Sequence, residues 1–164
     1  MKIDLTRAAG LLKDQDNILI LTHRNPDGDT LGSGFALLRA LRQLGKRARL
    51  LNADPINEKY AHLYEELYDD FFEEEFIVSV DVAEKKLLGE AFMEKYADRV
   101  DLSIDHHGTG KLFAGKLMQG KTLTEDCFHR QASSIPSGRL LLRIHQGAAV
   151  VHECSDTRGK SKKS

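Results

Sequence analysis

Four short apolar runs punctuate the N-terminal part of this chain, and the segments between them have the spacing of helices. Ile18-Leu19-Ile20-Leu21-Thr22 comes first, a fully apolar run as expected of a strand covered on both faces in a parallel sheet. Arg47-Ala48-Arg49-Leu50-Leu51-Asn52, Phe76-Ile77-Val78-Ser79-Val80-Asp81 and Val100-Asp101-Leu102-Ser103-Ile104-Asp105 read as the second, third and fourth strands. Residues 5–13 have helical apolar spacing. After the first strand, Leu31, Phe35, Leu38 and Leu41 recur at steps of four, three and three, which draw one helical face that Gly45 then stops. Two further helices are predicted over residues 57–68, with Tyr60, Leu63, Tyr64 and Leu67 on one side, and over residues 84–97. Strands separated by helix-length segments imply right-handed crossovers. The predicted fold is α/β, a doubly wound, mostly parallel sheet flanked by helices.

This regularity fades after about Phe113. Residues 114–134 show no sustained period, and Ser133-Ser134-Ile135-Pro136-Ser137-Gly138 is loop chemistry. Leu140-Leu141-Leu142-Arg143-Ile144 and Ala148-Ala149-Val150-Val151 are apolar islands, either of which could pack, and Thr157 to Ser164 has the polar, basic composition of a disordered tail. The chain therefore divides into a domain at 1–113 and an atypical basic tail at 114–164. Charge changes sign at the same place: residues 1–113 hold 15 Lys and Arg against 21 Asp and Glu, and residues 114–164 hold 9 against 4. An acidic domain argues against a broad surface for extended duplex nucleic acid, and a small nucleotide held by metals fits it better.

Composition narrows the class further. The 41% apolar and 30% charged fractions are those of a soluble globular protein. No run approaches the roughly 18 apolar residues of a membrane span, so no membrane partner is expected. The N-terminal residues lack a signal-peptide core, which predicts a cytoplasmic protein. Cys127 and Cys154 have no CxxC spacing and read as two reduced thiols.

The chemistry lies just past the strand ends. His23-Arg24-Asn25-Pro26-Asp27-Gly28-Asp29 follows the first strand, Asp81 ends the third, and Asp105-His106-His107 closes the fourth. Parallel strands gather such residues on one edge, where open α/β sheets bind their ligands. Four carboxylates and three imidazoles would meet there. Two divalent ions held close together need a carboxylate that touches both, further carboxylates to offset charge, and imidazoles for direction. Gly28 between the two acids would let the backbone turn sharply, and Gly32 and Gly34 would let the following helix start close to the sheet, its N–H groups towards an anion. Singly, two of the fragments have a plainer reading, an Asn-Pro-Asp-Gly turn and a strand-end aspartate that caps a helix, whereas adjacent histidines after a strand, as in Asp105-His106-His107, are uncommon. Taken together they point to a two-metal phosphoesterase. His62, His129, His145 and His152 fall outside the set and read as surface or core histidines. Neither GxxxxGK[ST] nor GxGxxG after the first strand occurs.

These fragments resemble a known family. His23-Arg24-Asn25-Pro26-Asp27-Gly28-Asp29-Thr30-Leu31-Gly32-Ser33 is similar to the first motif of DHH-family phosphoesterases, Val78-Ser79-Val80-Asp81-Val82-Ala83 to the second, and Asp105-His106-His107 to the triplet that gives the family its name. The resemblance spans about residues 1–113. It is nearest to the bacterial oligoribonucleases that also dephosphorylate 3′-phosphoadenosine 5′-phosphate, with RecJ-like exonucleases and family II pyrophosphatases more distant. It implies two divalent ions, by analogy manganese: His23 and Asp27 on one, Asp29 and His106 on the other, Asp81 bridging. It also implies that His107 contacts the phosphate or protonates the leaving oxygen, that Asp105 orients its neighbours, and that Gly32 and Ser33 lie at the phosphate. The implied reaction is hydrolysis of short oligoribonucleotides or nucleoside 3′,5′-bisphosphates by a two-metal-activated water, in a chain that could form a homodimer.

The departures set the alternatives. Relatives of this branch carry a fourth motif, an aspartate in a Thr-Asp-Thr-Gly-like setting, and a second domain with a Gly-Gly-Gly-His-like motif. Ser155-Asp156-Thr157-Arg158-Gly159 echoes the fourth motif only in outline. The charge reversal and lost periodicity lead to the expectation of an incomplete domain, with the coding frame lost shortly after Phe113. The alternatives are then a truncated, catalytically inactive nucleotide- or metal-binding fragment, and a family II pyrophosphatase-like enzyme.

Overall fold

In the computed structural model, residues 1–60, 71–107, 113–119, 140–145 and 148–153 are described. The central element is a six-stranded parallel sheet. In chain order its strands are β1 (Lys2–Ile3), β2 (Ile18–Leu21), β3 (Ala48–Leu51), β4 (Phe76–Val80), β5 (Leu102–Asp105) and β6 (Lys116–Gln119). In space they run β1-β6-β5-β4-β2-β3, every pair parallel. The helices are α1 (Leu5–Asp14), α2 (Gly28–Gln43) and α3 (Glu90–Tyr96). This is the doubly wound α/β architecture that the alternating pattern predicts. Two more strands, β7 (Leu140–His145) and β8 (Ala148–Glu153), pair antiparallel as a separate hairpin and hold the two apolar islands. Among the described residues no helix is long and apolar enough to cross a membrane.

Both faces of the sheet are covered, which is why its central strands are mostly apolar. Every residue of β2, β4 and β5 is buried. On one face Ile18, Ile20, Val78, Val80, Leu102 and Ile104 pack with Ala8 and Leu12 of α1 and Leu31, Phe35, Leu38 and Leu41 of α2. On the other, Leu19, Leu21 and Ile77 meet Leu88, Tyr96, Ala97 and Val100. Gly34 lets α2 lie against the sheet: a Cβ there would fall 2.7 Å from Leu50 Cδ1 and 3.0 Å from Thr22 Cγ2.

Two differences from the sequence pattern are instructive. The helix expected over 84–97 is broken into a 3-10 turn at Lys85–Leu88, α3, and a second 3-10 turn at Ala97–Arg99. Gly89 makes the break, at φ 80 and ψ 155, a region essentially closed to side chains. The sheet also runs beyond residue 113, because Lys116–Gln119 pairs with β5 on one side and β1 on the other. Of the helix expected over 57–68, residues 61–68 lie outside the described residues. So do His62, Cys127, His129, Cys154 and the Ser155–Gly159 segment.

Candidate metal centre

Chain order and spatial order together locate the site. From β2 the chain moves outward to β3, then crosses back over β2 to β4, so the winding direction reverses between β2 and β4. Helices leave the two strands towards opposite faces at such a point, which opens a crevice at the carboxyl ends. His23 follows β2, Asp81 follows β4, and Asp105-His106-His107 follows β5 next door.

The loop after β2 is built to present side chains. Asn25 takes the left-handed backbone, φ 50, and so makes the sharp turn expected of Gly28. Asparagine tolerates that conformation better than most residues. Gly28 is instead the first residue of α2, and Asp27 is its N-cap, accepting from the Asp29 N–H at 2.9 Å and the Thr30 N–H at 3.1 Å. Asp81 also adopts positive φ, 58, as the chain leaves β4, and its N–H donates to Ile104 O at 2.9 Å. The Thr30 hydroxyl donates to Val80 O at 3.1 Å, which joins α2 to the end of β4.

Asp81 is the centre of the arrangement. Its side chain is 4% exposed. Asp81 Oδ2 lies 3.9 Å from His23 Nε2, while Oδ1 lies 3.3 Å from His106 Nε2 and 3.6 Å from His107 Nδ1. His23 Nε2 is 3.7 Å from Asp27 Oδ1, and His106 Nε2 is 3.8 Å from Asp29 Oδ2. Two donor groups result, His23–Asp27–Asp81 and Asp81–His106–His107, each with ligand atoms within 4.8 Å of one another. Asp29 stands beside the second, and the Ser33 hydroxyl donates to its Oδ1 at 3.5 Å. Gly32 and Ser33 lie one turn inside α2 and are buried.

Hydrogen bonding fixes the imidazoles. His23 Nδ1 is 2.7 Å from the Arg24 carbonyl, which can only accept, so Nδ1 carries the proton and Nε2 turns its lone pair to the carboxylates. His107 Nδ1 likewise donates to Asp105 Oδ1 at 2.7 Å, and Asp105 is 2% exposed. That bond holds the His107 pKa above its ordinary value against the opposing effect of burial. Burial, and then the charge of Asp29, push the Asp81 carboxyl up despite the three histidines. Asp81 Oδ1 is also buried with no hydrogen-bond partner. A sequestered carboxylate oxygen faced by imidazole nitrogens and a second acid is a site that a divalent cation would complete, and mixed nitrogen–oxygen donors suit a transition ion.

The profile of the DHH family, N-terminal domain, matches residues 17–130, most of the chain and all three strand-end fragments. This chain belongs to the DHH family. A curated relative, the bifunctional oligoribonuclease and PAP phosphatase NrnA of Thermus thermophilus, is 36% identical over 103 residues, which cover 58% of this chain and 29% of that protein. The chain thus spans under a third of the length of that relative. Among solved structures, an exopolyphosphatase-related protein from Bacteroides fragilis superposes with a TM-score of 0.54 at 18% identity, over 69% of this chain and 37% of that one. RecJ from Thermus thermophilus, in complex with Mn2+, has a TM-score of 0.40 at 21% identity over 70% of this chain and 16% of that one. The matched profile is that of the family's N-terminal domain.

What the sequence did not single out is the packing around the first loop. The Arg24 N–H donates to Leu87 O at 2.6 Å, the Asn25 N–H to Asp54 Oδ2 at 2.9 Å, and the Asn52 amide to the Thr22 hydroxyl. The available signal was position alone: Asn52-Ala53-Asp54 follows a parallel strand and so reaches the same edge.

Proposed function

We propose that this chain forms the metal-binding part of a hydrolase acting on short oligoribonucleotides and nucleoside 3′,5′-bisphosphates, with two divalent ions, manganese by preference. The observation that carries the proposal is the placement of Asp81, one oxygen towards His23 and Asp27 and the other towards His106. In this reading His23, Asp27 and Asp81 hold one ion, and Asp29, His106 and Asp81 hold the other. When bound, such ions activate a water molecule and neutralise charge on the phosphoryl oxygens.

The protein's own groups do the remainder. Asp105 holds His107 with its Nδ1 proton inward, so the opposite ring nitrogen is the one that meets a phosphate oxygen or protonates the departing one. Ser33 steadies Asp29 from within α2, and Gly32 and Ser33, on the buried first turns of that helix, would lie nearest the phosphate. The acidic domain suits a small nucleotide whose charge the ions offset. The NrnA relative, by its name, acts on oligoribonucleotides and PAP, and it supports this substrate class.

Manganese-dependent phosphate release from 3′-phosphoadenosine 5′-phosphate by the purified chain tests the reading, with Asp81→Asn and His107→Ala as companions. Turnover is expected to vanish with the metal in Asp81→Asn, and to fall by about 10²–10⁴-fold in His107→Ala with metal retained. Manganese uptake without turnover would favour a second reading, a nucleotide- and metal-binding module. No manganese uptake would overturn both.

A further inference from the structure

The loop that carries His23 and Asp27 is held by residues that take no part in either donor group. Its turn depends on Asn25 at φ 50, a conformation that persists where surrounding contacts impose it. Two tethers do so, from two separate later segments of the chain. Ahead of the turn, the Arg24 N–H donates to Leu87 O at 2.6 Å. At the turn itself, the Asn25 N–H donates to Asp54 Oδ2 at 2.9 Å, a contact spanning 29 residues. Asn52, on the same segment, donates its side-chain amide to Thr22, the residue before His23. The two tethers also lean on each other: a Cβ at Gly89 would fall 2.9 Å from the Ala53 side chain and 3.8 Å from Arg24 Cβ.

Asp54 is therefore unlike the other acids on this edge. Its carboxylate points at a backbone amide and belongs to neither donor group among the described residues. We propose that Asp54 is a positioning residue for the first metal: it fixes the Asn25 turn, and that turn sets the convergence of His23 and Asp27 on Asp81. Without it the Asn25 amide loses its acceptor and the left-handed turn loses its support. His23 then moves away from Asp27, while Asp27, held as the N-cap of α2, Asp29, anchored in α2, and His106, anchored behind β5, stay in place. Asp54 acts on one ion of the pair. The inference rests on the two-ion reading above.

Manganese titration of the whole chain, by calorimetry and by the spin-resonance signal of free manganese, tests it on wild type, Asp54→Ala and Asp54→Asn. Outer partners of metal ligands change affinity by about 10- to 100-fold. Asp54→Ala is expected to weaken one site by that factor and leave the other unchanged. Asp54→Asn keeps an oxygen that can accept from the Asn25 N–H, and it is expected to recover most of the loss. Amide exchange at Asn25 in metal-free protein should speed up in Asp54→Ala and stay slow in Asp54→Asn. Wild-type affinities at both sites in Asp54→Ala, or equal weakening of both, overturns the inference while leaving the two-ion reading intact. Failure of the Asn variant to rescue overturns it too. A wild-type chain that takes up no manganese overturns both.

Discussion

Replacing Asp81 by Asn should stabilise the protein without metal and destabilise it with metal. In the metal-free fold this carboxylate is 4% exposed, one oxygen has no hydrogen-bond partner, and Asp29 repels it. Its folded pKa is raised above 3.8, first by burial and then by Asp29. A raised acid keeps its proton longer in the folded state. Its contribution to stability is therefore complete below 3.8 and is lost as pH rises through the folded value. At neutral pH the wild type holds a buried anion with an unmet acceptor, at a cost of about 1–3 kcal/mol. For a chain of this size each kcal/mol moves Tm by roughly 2–4 °C, so the neutral isostere should melt on the order of 5 °C higher in chelator. With manganese about a hundredfold above its dissociation constant, the wild type gains about 2.7 kcal/mol per site, and the variant forfeits most of it. Thermal unfolding of both proteins, with chelator and with manganese, at neutral pH and below 3.8, reads all four corners. A metal-free variant no more stable than wild type at neutral pH, or an advantage undiminished below 3.8, would refute the argument.

Two further perturbations probe the supports of the site. Asp105→Asn removes the main cause of the raised His107 pKa, so the midpoint of the His107 ring titration, followed by magnetic resonance in metal-free protein, should move down. The linkage runs in the same direction as for Asp81, since both folded values are raised: the Asp105–His107 bond stabilises below 6.5 and fades as pH rises through the folded value, so the variant should lose stability chiefly on the acid side. An unmoved midpoint would contradict the hydrogen bond. Gly89→Ala forces a side chain into a backbone region open only to glycine and against Ala53, which should destabilise the fold by about 1–3 kcal/mol in denaturant titration. A neutral result would mean that the 87–89 turn shifts freely and does not brace the first loop.

The sheet was legible because parallel strands buried on both faces must be almost wholly apolar: Ile18–Leu21 is so throughout, and Phe76–Val80 but for the buried Ser79. The helix of α2 was legible from Leu31, Phe35, Leu38 and Leu41, all of which face the core. By contrast β1 is two residues long, and β6 sits in a stretch without period, its strand character supplied by β5 and β1 on either side. Neither carries a local signal for a pattern to detect. The break at Gly89 had one, a glycine inside a helical segment, and its meaning lies in the close approach of Ala53, a contact between distant parts of the chain.

The site divides along the same line. Each strand-end fragment could be read by itself, but the central place of Asp81 could not. It follows from β4 lying between β2 and β5, although β3 separates β2 from β4 in the chain. That crossing sets the Asp81 carboxylate between His23 and His106, and strips it of hydrogen-bonding partners at one oxygen. The orphaned oxygen and the reversal of winding are one fact seen at two scales. A strand inserted at the switch point has neighbours that both end in ligands, so its own terminal acid is shared between them.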